Sequence, residues 1–293
     1  MVLYYDIFRH PLRDVELERL TGGDVSGGLR TLVASGKIDH MDGYVVRPGR
    51  RDQIPARVER TAAAERRWPA ARRAARLLAS APWVRGVMVT GGLSKQSASP
   101  DGDIDFLVLV EAGRVWSAKS LLQGVRRTLP PPIRECFCTN YLLDERHLLL
   151  DQRNMFTAME LATAVPLHNA ALCGAFLDAN AWASAFVPGI AFNRARALAA
   201  PTFPANPVAR AVERLLGPRV EAASMTAWDR YWNTKYDWLP AEVRRQRFKR
   251  RPEISTNHLH DFQQYVLDEY RQRCDAAGVA VVDVGRMEKA SCA

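Results

Sequence analysis

The sequence contains no run of 18 or more apolar residues, so no transmembrane helix is expected. Its N-terminus has Asp6 and no long apolar segment, which argues against a signal peptide and favours the cytoplasm. Internal repeats are missing too, so a repeat architecture is not expected. The chain has five cysteines, and only Cys136 and Cys138 lie close together, as a C-x-C without a second pair. We therefore expect free thiols rather than disulfides or a zinc site.

Arginine supplies most of a formal net charge of +9, which favours polyanionic partners such as nucleotides and nucleic acids. An arginine-rich surface also arises from codon usage without any ligand, so charge alone identifies no partner. The length of 293 residues and the 47% hydrophobic content allow a sizeable core and two or three modest domains.

Residues 1–50 predict three short helices followed by a β-hairpin. The third helix carries Leu29 and Val33 at helical spacing, and the hairpin turns at Met41-Asp42-Gly43. This order is typical of a winged helix, a module that binds DNA or serves for docking and dimerisation. Arg30 is the only base-reading side chain on the candidate recognition helix, which makes it a weak reader of the DNA groove.

The remaining chain divides into three parts. Residues 51–80 predict a connecting helix interrupted at Pro69, with its arginine pairs on a solvated face. Residues 81–150 alternate strand and helix, and residues 151–293 are predicted to form a C-terminal helical domain. The predicted fold class is α+β, with a short mixed sheet and its helices between the winged-helix and helical domains. The predicted strands are 84–89, 104–110 and 133–143, and the main predicted helices are 115–129, 155–165, 170–186, 207–216 and 257–276.

Two aspartates stand at the start of the second predicted strand. Asp103 and Asp105 flank Ile104, and alternate residues of a strand point to the same face, so their carboxylates should converge. Converged carboxylates repel unless a cation lies between them, and Mg²⁺ prefers such oxygen ligands and usually brings substrate phosphates. Upstream, Gly91 and Gly92 allow backbone N–H groups to approach a phosphate. The pattern predicts a site for a metal-bound nucleoside triphosphate.

Gly91-Gly92, ten intervening residues and Asp103-Ile104-Asp105 resemble the signature of the DNA polymerase β-like nucleotidyltransferase superfamily. In that signature a strand leads into a Gly-[Gly/Ser] turn, and a D-x-D strand follows. The resemblance covers roughly residues 84–143. More weakly, the whole chain resembles bacterial proteins that join a winged helix, a nucleotidyltransferase domain and a helical tail.

The resemblance implies a chemistry. One or two Mg²⁺ ions would be held by Asp103 and Asp105, and an acceptor hydroxyl would attack the α-phosphate of a nucleoside triphosphate, with ATP favoured and pyrophosphate released. The implied contacts to the triphosphate come from Gly91, Gly92, Ser94 and Lys95. Two of these have structural alternatives, because Ser94 could cap the following helix and Lys95 could be solvent-exposed.

Members of this superfamily usually carry a third carboxylate on a later strand, and here the sequence departs from the pattern. Glu135 is the candidate catalytic acid, and Asp144 is a weaker one. Asn140 lies deeper in the strand, and an amide can ligate a metal but cannot accept a proton. Otherwise another segment supplies the acid, or it is missing, which would put catalysis in doubt without abolishing nucleotide binding.

Several residues of the helical segment have a functional and a structural interpretation. For Glu160 the two interpretations are contact with a sugar or base and a position on the helix surface. For Asn180 and Trp182 they are contact with a nucleobase and a place in the core. The basic run 244–251 binds a nucleic acid or a phosphorylated substrate, or it is a solvated loop. His258, His260 and Asp261 resemble metal ligands, but side chains at i and i+2 of a helix do not share a face.

The sequence thus predicts a Mg²⁺-dependent nucleotidyltransferase that moves a nucleoside monophosphate to an acceptor hydroxyl. The acceptor, a small molecule, a protein or a nucleic acid, stays open, and no membrane partner is expected. The alternative is a DNA-binding regulator whose degenerate transferase domain senses a nucleotide without turnover.

Overall fold

The computed structural model of the chain describes residues 1–99, 102–130, 134, 138–256 and 262–282. Over these ranges the fold is α+β, with two sheets and helices packed around them. None of the helices in the described ranges is both long enough and apolar enough to cross a membrane.

The N-terminal unit has three helices and a three-stranded antiparallel sheet of order β1-β3-β2. The predicted turn is present, with Asp42 and Gly43 at φ +54° and +73°, the left-handed region that a tight hairpin requires. Strand β1 was not predicted because it has two residues and follows the His10-Pro11 break; it pairs Leu12 with Val45. The elements are α1 (Val2–Asp6), β1 (Leu12–Arg13), α2 (Asp14–Thr21), α3 (Ser26–Ala34), β2 (Asp39–Met41) and β3 (Tyr44–Val46).

Helix α4 (Ile54–Ala79) connects this unit to the second sheet, after a short 3-10 turn at Arg51–Gln53. The predicted interruption at Pro69 is wrong, because the helix runs through it. An internal proline costs a helix about 3 kcal/mol. Burial of Trp68 and Ala71, on either side of Pro69, against the sheet offsets that cost.

The second sheet is mixed and has six strands in the order β7-β4-β5-β6-β9-β8. Strands β5 and β6 are parallel, and the other neighbours are antiparallel. The first part of the predicted third strand, 133 and 135–137, lies outside the described residues. The strands are β4 (Val84–Val89), β5 (Asp105–Val110), β6 (Cys138–Asp144), β7 (Val165–His168), β8 (Arg250–Arg251) and β9 (Ile254–Thr256).

The predicted helices around this sheet are present with shorter bounds, whereas the helices Ile190–Ala197, Pro218–Lys235 and Ala241–Arg247 were not predicted. The predicted helix 170–186 ends at Ala179, and a 3-10 turn over Ala181–Ala185 replaces its last part. The final helix is described from Phe262, since 257–261 lie outside the described residues. The helices are α5 (Gly91–Ser94), α6 (Val115–Thr128), α7 (Met155–Thr163), α8 (Ala170–Ala179), α9 (Ile190–Ala197), α10 (Pro207–Leu215), α11 (Pro218–Lys235), α12 (Ala241–Arg247) and α13 (Phe262–Ala276).

The segment after residue 150 is not purely helical, unlike the prediction. It contributes β7, β8 and β9 to the six-stranded sheet. Helix α7 ends before Val165 because the residue ahead of a proline, here Pro166, avoids the helical region. Strands β8 and β9 come from the end of the basic run and the residues after it, where local composition gives no strand signal.

Both faces of the second sheet are buried, which explains the continuous apolar run of β5. Val108 packs in a core with α4, α6 and α11, whereas Leu107 and Leu109 pack on the side of α1, α7, α8 and α13. Strand β4 runs antiparallel to β5, with Val89 opposite Phe106. The end of β4 and the start of β5 therefore meet at one edge of the sheet.

Candidate functional site

The glycine turn and the acidic strand are in contact. The N–H of Thr90 donates to the main-chain oxygen of Asp105 at 2.9 Å. Gly91 has φ +67°, and a Cβ at this position would overlap Oδ2 of Asp105. A Cβ at Gly92 would lie 2.7 Å from the carbonyl oxygen of Ser97. Neither position has room for a side chain, which explains both glycines. The glycine turn and the acidic strand, the two halves of the sequence motif, therefore lie in contact.

The two aspartates point toward the same thiol. Asp103 is exposed and lies two residues before β5, and Asp105 is half-buried at its first position. The predicted strand began at Ile104, whose carbonyl accepts the Cys138 N–H at 3.1 Å, so the pairing with β6 reaches one residue further back. Besides burial, the carboxylates of Asp105 and Asp103 both act on the Cys138 thiol and raise its pKa, so the two side chains lie on the same side as this thiol. The two carboxylates therefore converge.

The site has an excess of negative charge. Burial, and then the carboxylates of Glu160 and Asp103, raise the pKa of Asp105 from 3.8 to about 6, while Lys95 acts in the opposite direction. Burial and the same two aspartates raise the pKa of the Cys138 thiol to about 12, so this thiol is a proton donor and not a nucleophile. A divalent cation is the partner that such a cluster would need.

Lys95 and Ser94 bond within the turn. The Nζ of Lys95 donates to the carbonyl oxygen of Gly91 at 3.1 Å and to Oε1 of Glu160 at 2.8 Å. With 12% of its side chain exposed, Lys95 is not the solvent-exposed lysine of the alternative interpretation. The Ser94 hydroxyl donates to Gly91 O at 2.8 Å and belongs to the last residue of α5, so it caps no following helix.

Glu160 is the residue whose position sequence reasoning missed. Its Oε2 accepts the N–H of Gly91 at 3.2 Å, and its Oε1 accepts the ammonium of Lys95. The interpretation of Glu160 as a helix-surface carboxylate is therefore wrong, and its contact with a sugar or base stays a prediction. The available signal was a single carboxylate in an otherwise apolar helix, α7, whose other faces must pack into the core.

Two arginines of α4 hold the loop between the glycines and the aspartates. Arg57, which is fully buried, donates to Gln96 O at 2.9 Å, and Arg67 donates to Ser99 O at 3.2 Å and to Gly102 O. Arg67 belongs to a pair predicted to lie on a solvated face, and this prediction is wrong because the loop folds back onto α4. Asp101, which the sequence predicts to be a turn residue, lies outside the described residues.

Neither sequence candidate for the third carboxylate, Glu135 or Asp144, is seen beside Asp103 and Asp105 in the described residues. Glu135 lies outside the described residues. Asp144 lies at the far end of β6, six residues or about 20 Å from Cys138, where its carboxylate accepts the N–H groups of Gly113 and Arg146 at 2.7 Å each. Among the residues that the structure describes, no group of three or more His, Cys, Asp or Glu is arranged to hold a metal. His258, His260 and Asp261 are outside that set.

The remaining candidates have structural roles. Asn180 accepts the N–H of Leu150 at 2.9 Å, and the indole of Trp182 donates to Asn180 at 3.1 Å, so both belong to the core. The basic run 244–251 is not a solvated loop. It forms α12 and β8, and its arginines make ion pairs, among them Arg245 with Glu242, Arg250 with Asp229 and Arg251 with Asp151.

Comparisons with protein-family models, with curated proteins and with solved structures give no significant match to this chain. Its function must therefore be argued from the geometry of the glycine turn, the two aspartates and their neighbours.

Proposed function

We propose that this chain is a Mg²⁺-dependent nucleotidyltransferase that moves a nucleoside monophosphate from a nucleoside triphosphate, with ATP favoured, to an acceptor hydroxyl. The observation that carries the proposal is the contact between Gly91 and Asp105, where a side chain on the turn would overlap the carboxylate. This contact puts the backbone turn beside the converged carboxylate pair, which is the arrangement that the sequence resemblance implies.

The residues present fit Mg²⁺. Asp103 and Asp105 would hold the ion, since their carboxylates converge, and burial together with the carboxylates of Glu160 and Asp103 raises the pKa of Asp105. Mg²⁺ is usually bound by one or two carboxylates together with water and substrate phosphates, so a third protein ligand is not required for binding. When bound, the metal would neutralise phosphate charge and orient the triphosphate.

Protein groups around the turn would bind the phosphates. Lys95 supplies a positive charge next to the Gly91 backbone. The turn keeps its shape because Arg57 and Arg67 hold the following loop from α4. The carboxyl group of Asp105 must lose its proton before it can bind a cation, so nucleotide binding should weaken below pH 6.

We also propose that the N-terminal unit is a winged helix used for docking. Its helix order and its β1-β3-β2 sheet support this assignment. Helix α3 exposes Leu32 (38%) and Val33 (42%) beside Arg30, a surface with more apolar than base-reading character.

The test uses ATP labelled at the α-phosphate, Mg²⁺ and pooled acceptors, namely total RNA, a protein extract and a small-molecule extract. We expect label transfer with pyrophosphate release, lost in Asp103→Asn and retained in Asp178→Asn, an exposed carboxylate paired with Arg194 far along the chain. If nucleotide binds but no pyrophosphate forms, the result contradicts a transferase and supports nucleotide sensing without turnover. Failure of Mg²⁺–ATP to bind would contradict the whole proposal.

A further inference from the structure

Glu160 occupies the same donors that a triphosphate would need. Its two carboxylate oxygens accept the N–H of Gly91 at 3.2 Å and the ammonium of Lys95 at 2.8 Å. The ammonium also donates a hydrogen bond to Gly91 O at 3.1 Å, so Gly91, Lys95 and Glu160 each contact the other two. A carboxylate bound by a backbone N–H and a cation has the geometry of a phosphate oxygen on the same groups.

Charge makes the competition strong. The Glu160 carboxylate is one of the groups that raise the pKa of Asp105, so its negative charge is felt at the metal-binding position. A triphosphate carries further negative charge to this turn. Two anions cannot accept the same hydrogen bonds, and placing them side by side costs free energy.

The fold allows the carboxylate to leave without moving its helix. Helix α7 is fixed by the Asn154 cap, whose Oδ1 accepts the Thr157 N–H at 3.0 Å, and by burial of Met155, Ala158 and Met159. The Glu160 side chain is 27% exposed, so a change of rotamer moves it toward solvent. Exchange of the carboxylate for a phosphate therefore needs only a side-chain motion.

We infer that Glu160 is an internal competitor of the nucleotide: its carboxylate closes the phosphate position at Gly91 and Lys95 in the free protein and leaves when a triphosphate binds. This inference rests on the proposed function, because it concerns the same site. This competition lowers the apparent affinity for nucleotide, since nucleotide binds only by displacing a hydrogen-bonded carboxylate.

The test compares Mg²⁺–tripolyphosphate and Mg²⁺–ATP binding by calorimetry in the full-length wild type and in Glu160→Gln. The amide keeps the size of the side chain and removes its charge, so both ligands should bind about tenfold more tightly. Lys95→Met should weaken both ligands, because it removes a phosphate donor as well as the partner of Glu160.

Glu213→Gln is the matched control. Glu213 also accepts a backbone N–H, that of Trp83 at 2.6 Å, and a cation, Arg85 at 3.0 Å, but these lie at the opposite end of β4 from the glycine turn. This variant should lose stability without gaining affinity. Thermal unfolding of each variant checks that it is folded, and Glu160→Ala replaces Glu160→Gln if the amide variant is not.

The outcomes separate the two proposals. Tighter binding in Glu160→Gln and not in Glu213→Gln supports the competitor. Equal or weaker binding in Glu160→Gln, with wild type still binding, overturns it and leaves the nucleotide site intact. If neither wild type nor Glu160→Gln binds tripolyphosphate or ATP with Mg²⁺, the proposed function fails and the competitor with it.

Discussion

The guanidinium of Arg57 donates a hydrogen bond to the main-chain oxygen of Gln96, 2.9 Å away, from a position without solvent exposure. The same group donates to Pro11 O at 3.1 Å and pairs with Glu16 at 2.6 Å. Gln96 has φ +56°, an uncommon conformation that a non-glycine residue keeps only when its surroundings hold it. One side chain therefore joins the N-terminal unit, helix α4 and the loop of the candidate site.

Replacement of Arg57 by Ala should lower the free energy of unfolding by about 3–5 kcal/mol, because it removes the ion pair to the half-buried Glu16 carboxylate and leaves the carbonyl oxygens of Pro11 and Gln96 without this donor. Urea denaturation measures the effect. Arg66→Ala, at an exposed position of the same helix, should change it by less than about 0.5 kcal/mol. Equal effects of the two variants would contradict a joining role for Arg57.

Asp105 should destabilise the fold at neutral pH. Its pKa is raised from 3.8 to about 6 in the folded protein, so the folded state binds its proton more tightly and stability falls as pH rises between these values. Asp105→Asn should raise the free energy of unfolding by about 2–3 kcal/mol at pH 8 and by little at pH 3.5. Denaturation at the two pH values tests this.

Asp144→Asn is the control for that experiment. The Asp144 carboxylate accepts the N–H groups of Gly113 and Arg146, so an amide there loses acceptor capacity and should destabilise the fold by about 1–2 kcal/mol at pH 8. A loss of stability in both variants would mean that the Asp105 charge is well compensated in the protein.

The parts of this structure that local pattern determines could be predicted from the sequence. Strand β4 has the predicted bounds, and the meeting of Gly91 with Asp105 follows from the antiparallel pairing of two neighbouring strands. Glu160 could not be placed, since its contact with Gly91 joins residues 69 positions apart and depends on how α7 packs. Strands β8 and β9 could not be predicted for the same reason, because pairing within the sheet, and not local composition, makes these residues strands.

Gly91→Ala tests whether the turn depends on glycine. Its Cβ would overlap Asp105 Oδ2 in a backbone with φ +67°, so the turn or the carboxylate must shift. We expect a loss of stability of more than 1 kcal/mol and a Mg²⁺–ATP affinity reduced at least about tenfold. Gly124→Ala, in the middle of α6 with open space around its Cβ, should instead stabilise the fold by about 0.5–1 kcal/mol. Unchanged nucleotide affinity in Gly91→Ala would contradict a role of the turn in binding.

Lys119 is a buried cation that no step of the proposed reaction uses. It is 2% exposed, and its Nζ donates to the hydroxyl of Ser255 at 2.8 Å. Its Nζ also lies 4.6 Å from the ring centre of Trp232 and 5.1 Å from that of Trp228. Burial lowers the pKa of Lys119 from 10.5 to about 7. The lysine should therefore lose its proton within the physiological range, inside a group of tryptophans that can report the change.

We expect the tryptophan fluorescence of the folded protein to change between pH 6 and 8 with a midpoint near 7, and Lys119→Met to abolish the transition. The lowered pKa means that the unfolded chain binds this proton more tightly, so wild-type stability should rise relative to Lys119→Met as pH increases from 7 toward 10.5. Lys235→Met removes a cation that lies 5.4 Å from the Tyr231 ring in a more exposed place, and it should keep the transition. A fluorescence transition that persists in Lys119→Met belongs to another group. If wild type shows no transition, the tryptophan rings hold Lys119 in its charged form from pH 6 to 8.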